Sequence, residues 1–357
     1  MRSFMRTFLK VAASIGGAAV VSFLGYAAYI YGSYSRIEDN VSILPKNRGL
    51  HELPAGVSVR FATFNIGYGA YSSDYSFFMD GGKESVARSS EAVRANILGV
   101  AELLDKEGVD IAMLQEVDRR GRRSRDVDEW AWFESRWGDR DALFMPNYHS
   151  SFLFWPPLDP IGSAESGIAI FSRYRMDVSV RRQLPISTKP NKILDLDRGY
   201  SVTPMPVDNG RTLYLYHLHL TAYGGGPDIS AAQIGMLMSD MAEKIALGHY
   251  VLCAGDFNHD LPGDSVKRLN ADARMFGWCR PFPGERLPKG MRYVEPENPQ
   301  VGTSRLLDAP YMPGKSFTAT IDGFLASDNI RILRVRHIDA GFEYSDHNPV
   351  ILDVRFD

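Results

Sequence analysis

Short apolar runs in this chain repeatedly close on, or carry, an acid, an amide or an imidazole. Residues 57–65 (VSVRFATFN) end in an amide, 111–116 (IAMLQE) in Gln and Glu, and 250–258 (YVLCAGDFN) run into Asp and Asn. Residues 213–220 (LYLYHLHL) hold two histidines, 317–324 (FTATIDGF) an aspartate, and 344–348 (YSDHN) lead into the apolar run 349–356. A polar group inside an apolar strand costs roughly 2–7 kcal/mol if it is buried without a partner. One such group reads as a satisfied structural residue, but a recurrent series at strand ends points to a shared polar site at one rim of a sheet. Carboxylates for a hard cation, an amide and imidazoles for phosphoryl oxygens, and a base for water are what hydrolysis of a phosphate ester requires.

Between these runs lie amphipathic helices. Residues 90–107 place Val93, Ile97, Val100 and Leu104 on one stripe and stop at Gly108; residues 231–247 do the same with Ile234, Leu237, Met238, Met241 and Ile245 and stop at Gly248. Apolar residues at 45% and charged residues at 23% are those of a folded protein. The net charge of −3 excludes a whole-surface attraction to nucleic acid, so any anion site must be local. Two cysteines, Cys253 and Cys279, exclude a disulfide framework and a cysteine zinc site.

The N-terminus is a separate object. Arg2, Arg6 and Lys10 precede an uncharged stretch from Val11 to Ser35, which exceeds the about 20 residues needed to cross a bilayer core. Tyr26, Tyr29, Tyr31 and Tyr34 gather at its far end, as aromatics do at a membrane interface. Gly25-Tyr26-Ala27 resembles a signal-peptide cleavage site, but apolar sequence continues past it, which favours an uncleaved anchor. The expectation is a cytoplasmic tail and transmembrane anchor over 1–35, a stalk over 36–54, and one catalytic domain over 55–357. The short basic tail leans toward a single-pass cell-membrane protein with its domain outside the cytoplasm.

The stretches FNIGYG (64–69), LQEVD (114–118), GIAIFSR (167–173), HLTAY (219–223), GDFN (255–258), TIDGFLAS (320–327) and SDHNPV (345–350) together resemble the endonuclease/exonuclease/phosphatase (DNase I-like) superfamily, in its order and over nearly the whole domain. The resemblance implies an α/β fold, a four-layer α/β/β/α sandwich, here with an N-terminal transmembrane helix. It implies a phosphoric ester hydrolase dependent on Mg²⁺ or Mn²⁺. Glu116 then matches the metal-binding carboxylate, with Asp346 supporting the metal, and Asn65 orients carboxylate and phosphate. Asp256 positions or deprotonates the attacking water, and Asn258 holds a phosphoryl oxygen. Two-residue spacing lets Asp256 and Asn258 point the same way if a strand continues through them. His347 contacts phosphate, as base or as charged clamp, and is oriented by Asp322. HLTAY fits the family's second histidine best from His219, leaving His217 as a structural imidazole. Glu165 occupies the place where some members carry a carboxylate that orients this histidine. Gly67 stands where abasic-site nucleases have an aspartate, and TIDGF lacks the usual aromatic after its acid; both argue against a repair enzyme.

Substrate signals are weaker. Arg119, Arg120, Arg122, Arg123 and Arg125 crowd a segment expected as a rim loop, with Arg119 and Arg122 the candidates for contact with an anionic substrate. Residues 68–83 (YGAYSSDYSFFMDGGK) form an aromatic-rich rim, able to stack on a base, sugar or lipid face or to pack as a lid. The readings are a membrane-anchored phosphoesterase acting on a mono- or diester, an extracytoplasmic endonuclease, a sphingomyelinase-like phospholipase for which no exposed apolar hairpin is evident, and a silent binding module. Nucleic acid is a partner the net charge disfavours, and the oligomeric state is left open.

Overall fold

The computed structural model describes residues 2–46, 51–190, 192, 197–222, 226–270 and 279–357. Tyr223 of the HLTAY stretch and Arg48 of the expected stalk lie outside them.

Two sheets face one another. Numbered along the chain, the strands of the first are, in spatial order, β1 (Val41–Ile43), β6 (Ser179–Gln183), β7 (Gly199–Pro206), β8 (Thr212–His219), β9 (Tyr250–Asp256), β15 (Asp322–Ser327) and β12 (Met291–Tyr293). The second runs β16 (Ile330–His337), β17 (Val350–Phe356), β2 (Ser58–Asn65), β3 (Ile111–Gly121), β5 (Gly162–Ser172) and β4 (Asp141–Leu153). Two short pairs, β10 (His259–Asp260) with β11 (Arg280–Pro281) and β13 (Ser304–Arg305) with β14 (Thr318–Ala319), edge the site.

Alternation along the strands explains the layers. Phe61, Met113, Leu215, Leu252 and Phe324 meet between the sheets, while Phe64, Leu114 and Phe171 point outward onto helices α2 (Ser90–Lys106) and α3 (Glu129–Arg136). Tyr216, Val251 and Cys253 face α4 (Gly226–Ala246) on the other side. The result is the expected four-layer α/β/β/α sandwich. Helix α2 starts at Ser89, whose side chain accepts from Ala92 N, and the chain leaves through Gly108 at φ +66, the left-handed turn a glycine supplies. A short helix, α5 (Ser265–Leu269), follows β10.

The leading helix α1 spans Arg2–Gly32; an 18-residue stretch within Phe4–Gly32 has a mean hydropathy of 1.7, and the helix is long and apolar enough to cross a membrane. The described parts of the stretch expected as a stalk, 36–46 and 51–54, lie against the domain. β1 pairs with β6, Leu53 is buried, and the buried Arg181 guanidinium donates to the carbonyls of Ile37 and Glu38. A buried guanidinium needs acceptors, and the backbone after α1 supplies them.

The topology places the polar strand ends together. β2 and β3 are parallel, as are β8 and β9, so each sheet contributes one parallel pair ending at the same rim. Asn65 is in register with Gln115, and Asp256 with both His219 and Asp322.

Candidate active site

Asn65 closes β2 and is buried; its Nδ2 donates to Asp256 Oδ2 at 3.1 Å, its Oδ1 accepts from Gly67 N, and its carbonyl accepts from Ser345 Oγ at 2.8 Å. One residue, through its side chain and its carbonyl, thus ties the end of β2 to two segments distant in sequence. Gly67 has φ +56, and a Cβ there would stand 2.9 Å from Asp346 Oδ1, so glycine is what this close approach admits.

Glu116 owes its direction to a bulge. The β3–β5 register shifts between Leu114 and Val117, and Glu116 has φ +57. Gln115 still faces the inter-sheet space and Val117 the helices, while the extra residue is released from the alternation and turned into the rim.

Asp256 and Asn258 converge by a turn. β9 ends at Asp256, Asn258 has φ +49, and Asn258 N donates to Asp256 Oδ1 at 2.8 Å. The expectation of a continuing strand is corrected: the aspartate's own acceptor makes the left-handed turn favourable. Asn258 Nδ2 donates to Leu220 O at 2.8 Å, which fixes the amide.

His347 Nδ1 lies 2.8 Å from Asp322 Oδ2, which sets Nδ1 as the donor, and Nε2 lies 3.8 Å from Asp256 Oδ2. Burial opposes charge on His347, but Asp322, Asp346 and Asp256 outweigh it and hold its pKa well above the ordinary imidazole value. His219 Nε2 is 3.5 Å from Asp256 Oδ2 and 3.8 Å from Glu116 Oε1. Burial, reinforced by Arg198 and His347, holds its pKa well below the ordinary value. Burial and then Asp322 raise Asp256 to about 7; burial and then Asp346 raise Glu116 to about 7.

Glu116, His219, Asp256, Asn258, Asp346 and His347 all line one cavity of about 690 Å³. His217 does not. It is fully buried between the sheets, with Gln115 Nε2 donating to its Nε2 at 2.6 Å.

The donors fit a hard divalent ion. Glu116 and Asp346 present oxygens to the cavity, both with pKa raised, and like charges converging in a buried pocket are the condition a divalent cation relieves. Asp256, Asp322 and His347 form another close cluster, with ligand atoms within 4.8 Å of one another. There, however, Asp322 and His347 already satisfy each other through a hydrogen bond, so Glu116 and Asp346 are the better ligand pair.

The remaining expectations are corrected. The arginine run begins inside β3. Arg119 is exposed, 3.9 Å from Glu165, and Arg122 bonds Asp159 and Pro160 O; neither lines the cavity. Glu165 pairs with Arg119 and does not line the cavity, and the carboxylates beside His219 are Glu116 and Asp256. Arg123 is the arginine of the run that lines the cavity: a turn at Arg122–Ser124 sends it inward, onto Asp118 at 3.0 Å, Ser166 and the face of Tyr68, 3.2 Å from the ring centroid. Tyr68, Tyr71, Phe77 and Phe78 of the aromatic-rich segment 68–83 also line the cavity, as do Arg198 and Ser304, which carried no distinguishing sequence signal.

The sequence model of the Endonuclease/Exonuclease/phosphatase family matches residues 62–347. No curated protein sequence matches the chain. Similar solved structures include the endonuclease/exonuclease/phosphatase from Beutenbergia cavernae DSM 12333, at 15% identity over 84% of this chain and 72% of that one, with a TM-score of 0.56. The human Nocturnin catalytic domain with bound sulfate anion gives 18% identity, 84% and 95% coverage, and a TM-score of 0.51. TDP2 of D. rerio complexed with single strand DNA product gives 14%, 84% and 99%, and 0.51. At these identities the likeness carries the fold and not the substrate.

Proposed function

The chain belongs to the endonuclease/exonuclease/phosphatase family, and from that premise we propose that it is a membrane-anchored, divalent-metal-dependent phosphoesterase that hydrolyses a phosphate mono- or diester by water attack at phosphorus. The observation that carries this reading is the Asp322–His347 hydrogen bond set beside Asp256 in the cavity that Glu116 and Asp346 share.

In this reading Asp256 takes the proton of the attacking water, since a carboxylate lifted to about 7 is a competent base near neutrality. Asn65 keeps that carboxylate aimed. His347, charged under the influence of its acidic neighbours, clamps a phosphoryl oxygen, a role its raised pKa favours over that of base. His219 is neutral and donates or accepts at the same oxygens, and the second amide hydrogen of Asn258 meets charge as it develops. A divalent ion on Glu116 and Asp346, Mg²⁺ or Mn²⁺ by donor type, would supply Lewis-acid stabilisation of the phosphoryl group.

Residues 1–35 act as the anchor, with the described parts of 36–54 strapping it to the catalytic domain of 55–357, outside the cytoplasm of a single-pass membrane protein. Contacts of Tyr26 and Tyr29 with the β4–β5 hairpin support retention of the helix rather than its cleavage. The test is turnover of a generic aryl phosphate ester with Mg²⁺ or Mn²⁺. Asp256→Ala and His347→Ala are expected to lose about 10²–10⁴-fold in kcat while retaining the wild-type circular dichroism spectrum. Undiminished turnover in either variant contradicts the assignment.

A further inference from the structure

We propose that the ester this centre hydrolyses belongs to a membrane amphiphile, which reaches the cavity along an apolar wall continuous with the N-terminal helix. The inference rests on the phosphoesterase reading and adds the alcohol side of the ester.

The cavity's lining holds the ionisable cluster together with Arg123 and Arg198, and also Tyr26 and Ile30 of α1, Phe78, and Leu153, Trp155 and Ile161 of the β4–β5 hairpin. About 690 Å³ is the size of a site for a whole organic molecule, well beyond a phosphate group. An apolar wall beside the reacting centre fits hydrocarbon attached to the ester oxygen.

The hairpin's outer surface is the second observation. Phe154, Trp155 and Leu158 are 60%, 66% and 99% exposed, an apolar tip that the sequence did not reveal because its residues fall among prolines and lack alternation. The tip is held against the helix. Phe154 N donates to the Tyr26 hydroxyl at 2.8 Å, that hydroxyl donates to Phe152 O at 3.2 Å, and the Tyr26 ring meets Phe154 edge-on. Tyr26 stands about 9 Å along the axis before the last residue of α1. The exposed tip and the apolar wall are therefore level with the end of the helix, the depth at which Trp and Tyr settle at a bilayer interface. A polyanionic nucleic acid approaching this side would have to lie against acyl chains, so the exposed aromatics favour lipid over bases.

The step balances as hydrolysis. The oxygen of water forms a bond to phosphorus and the bond from phosphorus to the amphiphile's ester oxygen breaks; one water proton passes to Asp256 and the other stays on the new P–OH. The departing oxygen takes a proton from solvent to leave as an alcohol, and Asp256 returns its proton to solvent.

The full chain is purified in detergent and reconstituted into phosphatidylcholine vesicles containing phosphatidic acid, a monoester, and phosphatidylglycerol, a diester. A soluble aryl phosphate ester and single-stranded DNA are assayed in parallel. Hydrolysis of a vesicle lipid is expected, and the double variant Phe154→Ser/Leu158→Ser, whose residues lie outside the cavity, is expected to lose about tenfold or more on vesicles while staying within about twofold on the soluble ester. Vesicle lipids with bromine on their acyl chains are expected to quench wild-type tryptophan fluorescence, and Trp155→Phe to remove that quenching. Turnover of the soluble ester or of DNA without any vesicle lipid, equal effects of the double variant on both substrates, or quenching untouched by Trp155→Phe overturns the proposal. Failure of the wild-type chain to hydrolyse any ester overturns the phosphoesterase reading beneath it.

Discussion

His217 and His219 are two residues apart on β8 and face the same way, yet they meet different surroundings. His219 reaches carboxylates at the rim, whereas His217 accepts from Gln115 deep between the sheets. Burial pulls His217 down to about 3, against about 6.5 in an unfolded chain. Its folded pKa is depressed, so the unfolded state binds the proton first; the stability it permits is complete above about 6.5 and falls as pH drops toward 3. Between pH 7 and pH 5 the loss is about 2 kcal/mol. His217→Gln, whose amide oxygen can accept from Gln115, is expected to flatten that part of the profile in urea denaturation at each pH. Identical pH slopes in variant and wild type would refute it. At this scale the sequence was informative where spacing had a partner to test it: HLTAY selected His219, and GDFN, TIDGF and SDH selected Asp256, Asn258, Asp322 and His347 for the cavity or its hydrogen-bonded wall. It misled at the arginine run, because guanidiniums in succession carry no phase. The turn at Arg122–Ser124 decides that Arg123, and neither Arg119 nor Arg122, enters.

At the scale of elements, the rim depends on departures from regular structure that periodicity does not announce. The bulge at Glu116 and the left-handed turn at Asn258 each turn one side chain into the cavity, and both lie inside runs that read as plain strand. Helices α2 and α4 were legible because their stripes and terminal glycines are local, whereas the short α3 and α5 were not read. Gly255 shows the opposite case: at φ +147, its added Cβ would come within 2.0 Å of Leu218 O on the neighbouring strand. Gly255→Ala is expected to destabilise by about 3 kcal/mol or more and to spoil the adjoining Asp256–His219 register. Gly235 lies exposed inside α4 with nothing near its Cβ, so Gly235→Ala is expected to stabilise by about 0.5–1 kcal/mol. Thermal unfolding of the pair reads both signs. A neutral Gly255→Ala would mean that β8 and β9 are not held at this separation.

Across the whole molecule, two parallel strand pairs from opposite sheets and the segment before β17 bring residues as far apart as Glu116 and His347 to one cavity, and the N-terminal helix adds Tyr26 and Ile30 to its lining. The first half of that statement could be read from ordered motifs. The second could not, since the contact of α1 with the β4–β5 hairpin depends on tertiary placement and the strap over 36–54 on acceptors for the buried Arg181. Catalysis at this cavity depends on where a divalent ion is held. Mn²⁺ binding to the full chain, followed by electron paramagnetic resonance, tests this directly. Glu116→Gln and Asp346→Asn are each expected to weaken binding by about tenfold or more, with Asp322→Asn leaving it nearly unchanged. Binding that survives both of the first two substitutions and is lost on Asp322→Asn would move the ion to the Asp256–Asp322–His347 cluster and contradict the account.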